Sequence, residues 1–408
     1  MRKLVFKINP WQGAAGLPAP VWIVFATTLV NRAGSMVVPF MVLYVSQFLG
    51  VRLALAGMAL TVYGLGGLVS GPIAGRLCDR FGAFTVLRGS LVLSGAILLM
   101  FPLVRDFTLF LALTFVWAMV AESGRPASLA ALTTFIRPDQ RKAAIALNRL
   151  AINLGMSIGP AVGGFLASLS FPLLFLADGA TALAAGLFLA AILARRPLMR
   201  HVAPRTASDR PAHQTSRFSS VLHDPHALLF LAGLLLVFAV FHQPEGAMSV
   251  YLVRDLHYPP SFYGTLFVAN TILIVLIELP LNLAMQQWSH RSTITLGAVL
   301  IAAGFGSMAL LHTRLGLLLT VVVWTFGEMI AMPATGAYIT DLAPQGRSGE
   351  YAGAYSAAYS LSLIVGPWAG IIALERIGGP ALWCAALMIG LIGAAALNLT
   401  LRNTKPAQ

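Results

Sequence analysis

Three charged side chains stand inside long apolar stretches of the sequence. Glu328 lies in TVVVWTFGEMIAMPATGAYI, Glu122 in LALTFVWAMVAESGR and Arg32 in TTLVNRAGSMVVPF. A carboxyl group in apolar surroundings must be protonated or paired, so it is suited to carrying a proton or binding a cation. An arginine keeps its charge and needs a carboxylate beside it. We predict that these three residues couple the binding of a proton to the activity of the protein. Glu122 and Glu328 are the candidate carboxylates for an ion pair with Arg32.

Two further residues extend this predicted site. Arg125 follows Glu122 by three positions, so the two side chains can meet on one helix face. A self-neutralising structural pair and a role in a site are equally good interpretations of that spacing. The predicted lining of a substrate cavity comprises Asn31, Arg32, Glu122, Arg125 and Glu328.

Other acids in apolar runs are expected to make helix-packing or gate contacts. They are Asp178, Glu245 and Glu278. Glu245 is the least settled of the three, because His242 precedes it by three residues and can interact with it.

The composition explains why charges in these stretches carry so much information. Of the 408 residues, 58% are apolar and only 10% are charged, whereas a soluble domain carries about 25% charged residues. So few charged residues cannot supply the polar surface of a soluble globule of this size. This excludes a soluble enzyme, a nucleic-acid binder and a disordered scaffold. We therefore predict an all-α polytopic membrane protein.

Twelve apolar runs predict twelve transmembrane helices, which we call spans one to twelve. Their predicted bounds are 18–48, 54–76, 84–103, 107–135, 142–169, 171–194, 226–252, 261–285, 293–312, 316–341, 350–374 and 379–401. With the N-terminus in the cytosol, 19 Lys and Arg residues fall in inside segments and 5 in outside segments. This asymmetry follows the positive-inside rule and predicts that both termini are cytosolic.

The chain also contains an internal repeat. Trp117 and Trp324 are each followed nine residues later by a proline, and Gly159-Pro160 corresponds to Gly366-Pro367 at an offset of 207. The long polar stretch between spans six and seven reads as a linker between the two copies. The predicted domains are an N-terminal six-helix bundle (1–194), a cytosolic linker (195–225) and a C-terminal six-helix bundle (226–408). Duplicated six-helix halves are typical of transporters.

A short motif lies at the predicted cytosolic end of span two. It reads GRLCDRFG and contains Gly75, Asp79, Arg80 and Gly82. It resembles motif A of the major facilitator superfamily, G-x-L-a-D-r-x-G. The resemblance implies a gating role: Gly75 would permit close helix approach, Asp79 would face the start of a neighbouring helix, and Arg80 would pair across the cytosolic seam. Ala83 and Phe84 stand where the family usually has basic residues.

A second motif lies in span five, GMSIGPAVGG. It is similar to motif C of the antiporter branches of that superfamily, and its residues are Gly155, Gly159, Pro160, Gly163 and Gly164. Glycines four residues apart share one helix face and allow tight packing against a partner helix, while Pro160 adds a bend. The resemblance favours export, with a packing role for the motif. Generic small-residue helix packing is the alternative interpretation.

A third motif, Gly327-Glu328 followed by Pro333 in span ten, looks like a segment of drug–proton antiporters of the same superfamily. A structural hydrogen bond from Glu328 to a neighbouring helix is the alternative to a proton-carrying role. In span four the family's motif B is not reproduced, so its role is not transferred to Arg125.

The resemblance to the major facilitator superfamily, and within it to the drug–proton antiporter group, implies two pseudo-symmetric six-helix bundles working by alternating access. We predict a monomeric, proton-coupled exporter of small amphipathic molecules in a bacterial inner membrane. Its expected partners are a small-molecule substrate, protons and the lipid bilayer. An importer or uniporter of a metabolite, sugar, peptide or siderophore is the alternative, and a membrane receptor or enzyme is a remote one.

Motifs for other chemistry are missing from the sequence. It contains no phosphate-binding G-x4-G-K-[ST] loop, no H-E-x2-H motif and no cysteine cluster. We therefore expect no enzymatic activity, no cofactor, no metal site and no nucleic-acid partner.

Overall fold

The computed structural model describes residues 16–134, 136, 140–195, 219–285, 287–344 and 347–401. Over these ranges the chain is built from helices, without a β-strand. Eleven of the described helices are long and apolar enough to cross a membrane. Helices suit a hydrocarbon environment because they satisfy their backbone polar groups within one segment. The predicted all-α polytopic membrane fold is therefore confirmed.

The first six spans agree with the predicted runs, and several contain a break. Their helical pieces are Ala19–Ala33, Val37–Leu43 and the π-helical Tyr44–Phe48 in span one; Leu53–Ala56 and Met58–Phe81 in span two; Ala83–Met100 and the 3₁₀ turn Phe101–Leu103 in span three; Phe107–Glu122 and Gly124–Thr134 in span four; Arg141–Leu169 in span five; and Pro172–Arg195 in span six.

The second six spans follow a short helix, Ser219–Leu222. Their pieces are Pro225–Phe241, the 3₁₀ turn Gln243–Glu245, Ala247–Val250 and the π-helical Tyr251–Asp255 in span seven; Pro260–Ala284 in span eight; His290–Gly306 and the 3₁₀ turn Ser307–Ala309 in span nine; Arg314–Leu342 in span ten; Ser348–Ile377 in span eleven; and Gly379–Thr400 in span twelve. Span seven is the predicted span that is missing from the eleven long apolar helices among the described residues. Its interruption after Phe241 leaves a shorter apolar helix, Pro225–Phe241.

Polar side chains fix where several spans begin. Asp106 accepts a hydrogen bond from the backbone amide of Leu109 (2.7 Å), and Thr313 accepts one from that of Gly316 (3.1 Å). These are N-caps, which satisfy amides that have no partner in the first helical turn.

Span seven has the most heavily bonded cap, Asp224. Its carboxylate accepts hydrogen bonds from the amides of His226 and Ala227 and from the Tyr351 hydroxyl of span eleven. Burial opposes the charge, but these hydrogen bonds outweigh it and lower the pKa of Asp224. The start of span seven is thereby linked to span eleven.

The structure extends the internal repeat to positions that the sequence comparison did not reach. The π-helices at Tyr44–Phe48 and Tyr251–Asp255 begin 207 residues apart. The N-caps Asp106 and Thr313 show the same offset. The two copies therefore share helix irregularities as well as helix lengths.

By contact density the chain divides into two compact units. The first comprises the described residues of Met1–Val37, Leu65–Gly159 and Pro172–Asp209. The second comprises those of Val38–Gly64, Pro160–Phe171 and Arg210–Gln408. The predicted domain division at a linker stays a prediction, since 196–218 of that linker and the termini 1–15 and 402–408 lie outside the described residues.

The core of the first unit is built from spans one, three, four, five and six. At one end, Phe101 stacks on Phe175 and contacts the edge of Trp117. The indole Nε1 of Trp117 donates a hydrogen bond to Ser94 Oγ (2.9 Å). This bond satisfies the polar atom of a tryptophan that is only 4% exposed.

In the second unit, spans nine and ten pack through glycines. A Cβ added to Gly304 would lie 2.6 Å from the backbone nitrogen of Trp324, and one added to Gly327 would lie 2.6 Å from that of Ile301. The ring of Phe305 stacks on Trp324 with a centroid distance of 5.5 Å. Backbone-to-backbone approach of this kind requires residues without a side chain.

The contact at Gly304 can be tested with a matched pair of substitutions. We expect Gly304→Ala to lower the melting temperature, because overpacking against the Trp324 backbone costs about 1–3 kcal/mol. Gly336→Ala is the control, since a Cβ at Gly336 of span ten meets open space. The measurement is thermal unfolding of purified protein in detergent. Equal melting temperatures for the two variants would contradict the packing assignment.

Candidate functional site

Span one is interrupted next to the predicted site residue Arg32. Its first helix ends at Ala33, and a new helix starts at Val37. The carboxylate of Asp178 in span six accepts hydrogen bonds from the amides of Met36 and Val37, both at 3.2 Å. Asp178 is 6% exposed, so it caps a helix start that water cannot satisfy.

Arg32 immediately precedes this break, and its positive charge acts on the Asp178 carboxylate. The sequence interpretation named Glu122 and Glu328 as candidate partners of Arg32 and gave Asp178 a packing or gate contact. The structure adds Asp178 as an electrostatic partner of Arg32. The sequence around Asp178 does not indicate that it caps span one, because the capped amides lie 141 and 142 residues away in the chain.

Motif C packs against the same break. A Cβ added to Gly155 would lie 2.3 Å from Arg32 Cβ, and one added to Gly159 would lie 2.8 Å from the carbonyl oxygen of Ser35. The glycines therefore allow span five to approach the backbone of span one beside Arg32. This gives the motif a definite packing partner within the first unit.

The end of motif C contributes to the second unit. Gly163 is buried, and a Cβ on Gly164 would lie 2.6 Å from the carbonyl oxygen of Pro260 at the start of span eight. Likewise, a Cβ added to Gly264 would lie 2.5 Å from the carbonyl oxygen of Pro160. Spans five and eight thus meet through glycines on both sides.

Other N-terminal segments of the second unit also pack on C-terminal spans. The Thr61 hydroxyl donates to the carbonyl of Ile364, and the amide of Ala54 donates to the Glu375 carboxylate (3.1 Å). By the predicted topology these contacts lie at the outer ends of spans two and eleven. They join the two sequence halves on that side.

Glu122 and Arg125 form the ion pair that their spacing allows. Arg125 Nε lies 2.8 Å from Glu122 Oε2, and the side chains are 55% and 14% exposed respectively. The Glu122 stem lies against Gly67 of span two. Asn31 is half-buried, and its carbonyl accepts a hydrogen bond from the Ser35 hydroxyl at the break in span one.

Glu328 has a neutral partner from another helix. Its Oε2 accepts a hydrogen bond from Asn270 Nδ2 of span eight at 3.0 Å, and the same amide donates to Thr325 Oγ1 at 2.9 Å. Sequence reasoning missed Asn270, which is 7% exposed and 58 residues away from Glu328. The preceding Gly327 packs on span nine and fixes the helix on which Glu328 stands.

Motif A lies on an exposed helix end. Gly75, Asp79 and Arg80 are exposed, and a Cβ on Gly75 would meet open space. The Arg80 guanidinium lies over the Phe81 ring, 5.2 Å from its centroid. Among the described residues no helix approaches Gly75 closely, and the gating role of the motif stays a prediction.

The sequence matches the family profile of the Major Facilitator Superfamily over residues 23–245 and 244–408. The chain belongs to the major facilitator superfamily. It is therefore an integral membrane transporter rather than an enzyme. Arg32, Asp178, Glu122 and Glu328 are intramembrane charges of a major facilitator transporter, each placed on a helix facing another helix of its unit.

Named relatives within the superfamily are distant but cover most of this chain. The uncharacterised MFS-type transporter YttB of Bacillus subtilis (strain 168) is 24% identical over 395 residues, spanning 96% of this chain and 98% of the relative. The multidrug resistance protein MdtH of Aeromonas salmonicida is 25% identical over 363 residues, covering 86% and 85%. The Na(+), Li(+), K(+)/H(+) antiporter of Planococcus maritimus is 24% identical over 365 residues, covering 83% and 85%.

Among solved structures, a peptide transporter POT in complex with sulfate has a TM-score of 0.75. It covers 98% of this chain and 100% of that chain at 18% sequence identity. Similarity at this level shows that the fold is shared.

The role of Asp178 predicts an unusual cost of substitution. We expect Asp178→Ala to lower stability by about 1–3 kcal/mol, because two buried amides lose their acceptor. Asp178→Asn keeps an acceptor oxygen and should lose less. Asp106→Ala is the control, since Asp106 caps an exposed helix start that water can satisfy. Melting temperatures in detergent provide the measurement, and a loss at Asp106→Ala matching that at Asp178→Ala would argue against the buried cap.

Proposed function

We propose that this major facilitator transporter is a proton-coupled exporter of small amphipathic molecules in a bacterial inner membrane, with both termini in the cytosol. The observation that carries the proposal is the Glu328 carboxylate on span ten, with the neutral Asn270 among its partners. Gain or loss of a proton at Glu328 changes the charge of a carboxyl group that is bonded to the neutral Asn270 amide.

The geometry links that change to helix packing. Protonation replaces a charged acceptor with a neutral carboxylic acid, which weakens the hydrogen bond from Asn270. The amide then keeps its bond to Thr325 on span ten. Proton binding thus alters the contact between spans eight and ten, which is the kind of differential interaction that alternating access requires.

Glu122, the repeat counterpart of Glu328, has a different environment. Arg125 lies within 2.8 Å and compensates its charge. The pair ties the Glu122 carboxylate to an arginine three residues away on the same span. We assign Glu122 and Arg125 to structure or substrate contact, and Glu328 to proton coupling.

Two named relatives support different parts of the proposal, one the handling of drugs and the other the exchange of protons. MdtH is a multidrug resistance protein, and the relative from Planococcus maritimus is a cation/proton antiporter. Motif C, found mainly in antiporters, is packed tightly against the Arg32 segment. The importer alternative predicts the opposite direction of transport, and the experiment below distinguishes the two.

The coupling assignment is tested with Glu328→Gln and Glu122→Gln in proteoliposomes. With an imposed pH gradient and a fluorescent amphipathic cation as substrate, the wild type should accumulate the dye by exchanging it for protons. Glu328→Gln should lose accumulation and still equilibrate dye, because glutamine mimics the protonated state. Glu122→Gln should instead weaken dye binding or stability and keep the pH dependence of the remaining transport.

A reversed pattern, with uphill transport surviving in Glu328→Gln and lost in Glu122→Gln, would exchange the two roles. Uptake of substrate together with protons in the wild type would overturn the export proposal and favour the importer.

A further inference from the structure

Span seven is interrupted within the apolar part of the chain. Its first helix ends at Phe241, a 3₁₀ turn covers Gln243–Glu245, and a new helix begins at Ala247. Gly246 joins them with φ −124° and ψ −97° and packs against Pro367 of span eleven. A break of this kind places polar side chains and free backbone groups at membrane depth.

Most polar groups of the break are bonded to neighbouring helices. Gln243 Nε2 donates to the carbonyl oxygens of Ala239 and Gly366, both at 2.9 Å. The Tyr263 hydroxyl of span eight donates to the carbonyl of Pro244 at 2.6 Å. The break is therefore anchored to spans eight and eleven and has a defined geometry.

The buried polar atoms of the break without a hydrogen-bond partner among the described residues belong to His242, Glu245 and the Gln243 side-chain oxygen. The His242 side chain is 3% exposed, and neither ring nitrogen has a hydrogen-bond partner among the described residues. Glu245 Oε2 is likewise buried and lacks such a partner within the described chain. His242 Nδ1 and Glu245 Oε2 are 3.7 Å apart, within ion-pair range and slightly beyond hydrogen-bond length.

The surroundings of this pair define which charges act on it. The Tyr359 ring of span eleven contacts the imidazole at a centroid distance of 4.9 Å, and the Phe241 ring flanks its other side at 5.4 Å. The Tyr263 hydroxyl of span eight is near enough for the charge of Glu245 to act on it. Among the described residues, the titratable groups next to His242 are therefore Glu245 on its own span and Tyr359 on span eleven, while Tyr263 lies within range of the Glu245 charge.

We propose that His242 and Glu245 form a proton-binding site in span seven, separate from Glu328. A hydronium ion gives its proton to His242 Nδ1, leaving water, and the imidazolium then pairs with the Glu245 carboxylate. Release reverses the step, with water as the acceptor. The Glu245 side chain is 22% exposed, so the pair borders accessible surface although Oε2 itself is buried, and the predicted topology places it in the outer half of the membrane.

The consequence lies in the conformation of span seven. A small movement of either side chain closes the 3.7 Å separation to a hydrogen bond when one proton is bound. Because His242 and Glu245 lie at the two ends of the 3₁₀ turn, the site couples the geometry of this turn to the proton concentration outside. Its role in transport rests on the proposed proton coupling, whereas proton binding at the site does not.

The experiment follows the histidine rings directly. Full-length protein labelled with ¹⁵N-histidine is titrated between pH 4.5 and 9, and the His242 signal is assigned by its loss in His242→Gln. We expect that signal to pass through one titration step. Glu245→Gln should shift the midpoint by about one pH unit, because it removes a charge within ion-pair distance. The exposed His226 is the internal control, and its midpoint should stay unchanged.

Three outcomes overturn the proposal. In the first, the His242 signal of the wild type does not change with pH. In the second, Glu245→Gln leaves the titration midpoint of His242 unchanged. In the third, the His242 signal responds to sodium at constant pH but shows no titration step. If Glu245→Gln fails to fold, Glu245→Asp serves instead, since it withdraws the carboxylate and should also move the midpoint. Loss of proton-driven transport with an intact His242 titration would contradict the export proposal and leave this site standing.

Discussion

Backbone amides and carbonyls find no hydrogen-bond partners in lipid hydrocarbon, and this constraint governs where the chain can be irregular. Span one breaks before Val37 because the Asp178 carboxylate supplies the acceptor that its amides need. Span seven can break after Phe241 because spans eight and eleven provide hydrogen-bond partners for the Pro244 carbonyl and the Gln243 side chain. Each interruption is thus paired with a polar side chain or backbone group from another helix.

Glycines perform the complementary task of bringing helix backbones together. Gly155 and Gly159 let span five lie against the segment that carries Arg32, and Gly327 lets span ten lie against span nine beside Glu328. The helices that carry Arg32 and Glu328 are therefore positioned by close contacts at glycines. Such tightly packed interfaces resist gradual deformation.

The internal repeat supplies two similar frameworks for different chemistry. The π-helices at the ends of spans one and seven, and the caps of spans four and ten, recur at an offset of 207 residues. Glu122 and Glu328 are repeat counterparts, yet Arg125 balances one and the neutral Asn270 bonds to the other. Duplication has preserved helix geometry while the partners of the two acids have diverged.

The sequence by itself determined the features that depend on local pattern. Hydropathy located twelve spans because each needs a continuous apolar run, and a three-residue spacing sufficed to predict the Glu122–Arg125 pair. The tertiary structure decided the contacts between helices. Asp178 caps amides 141 and 142 residues away, and Asn270 reaches Glu328 from 58 residues away. Helical periodicity says which residues share a face of one helix, but it does not say which other helix that face will meet.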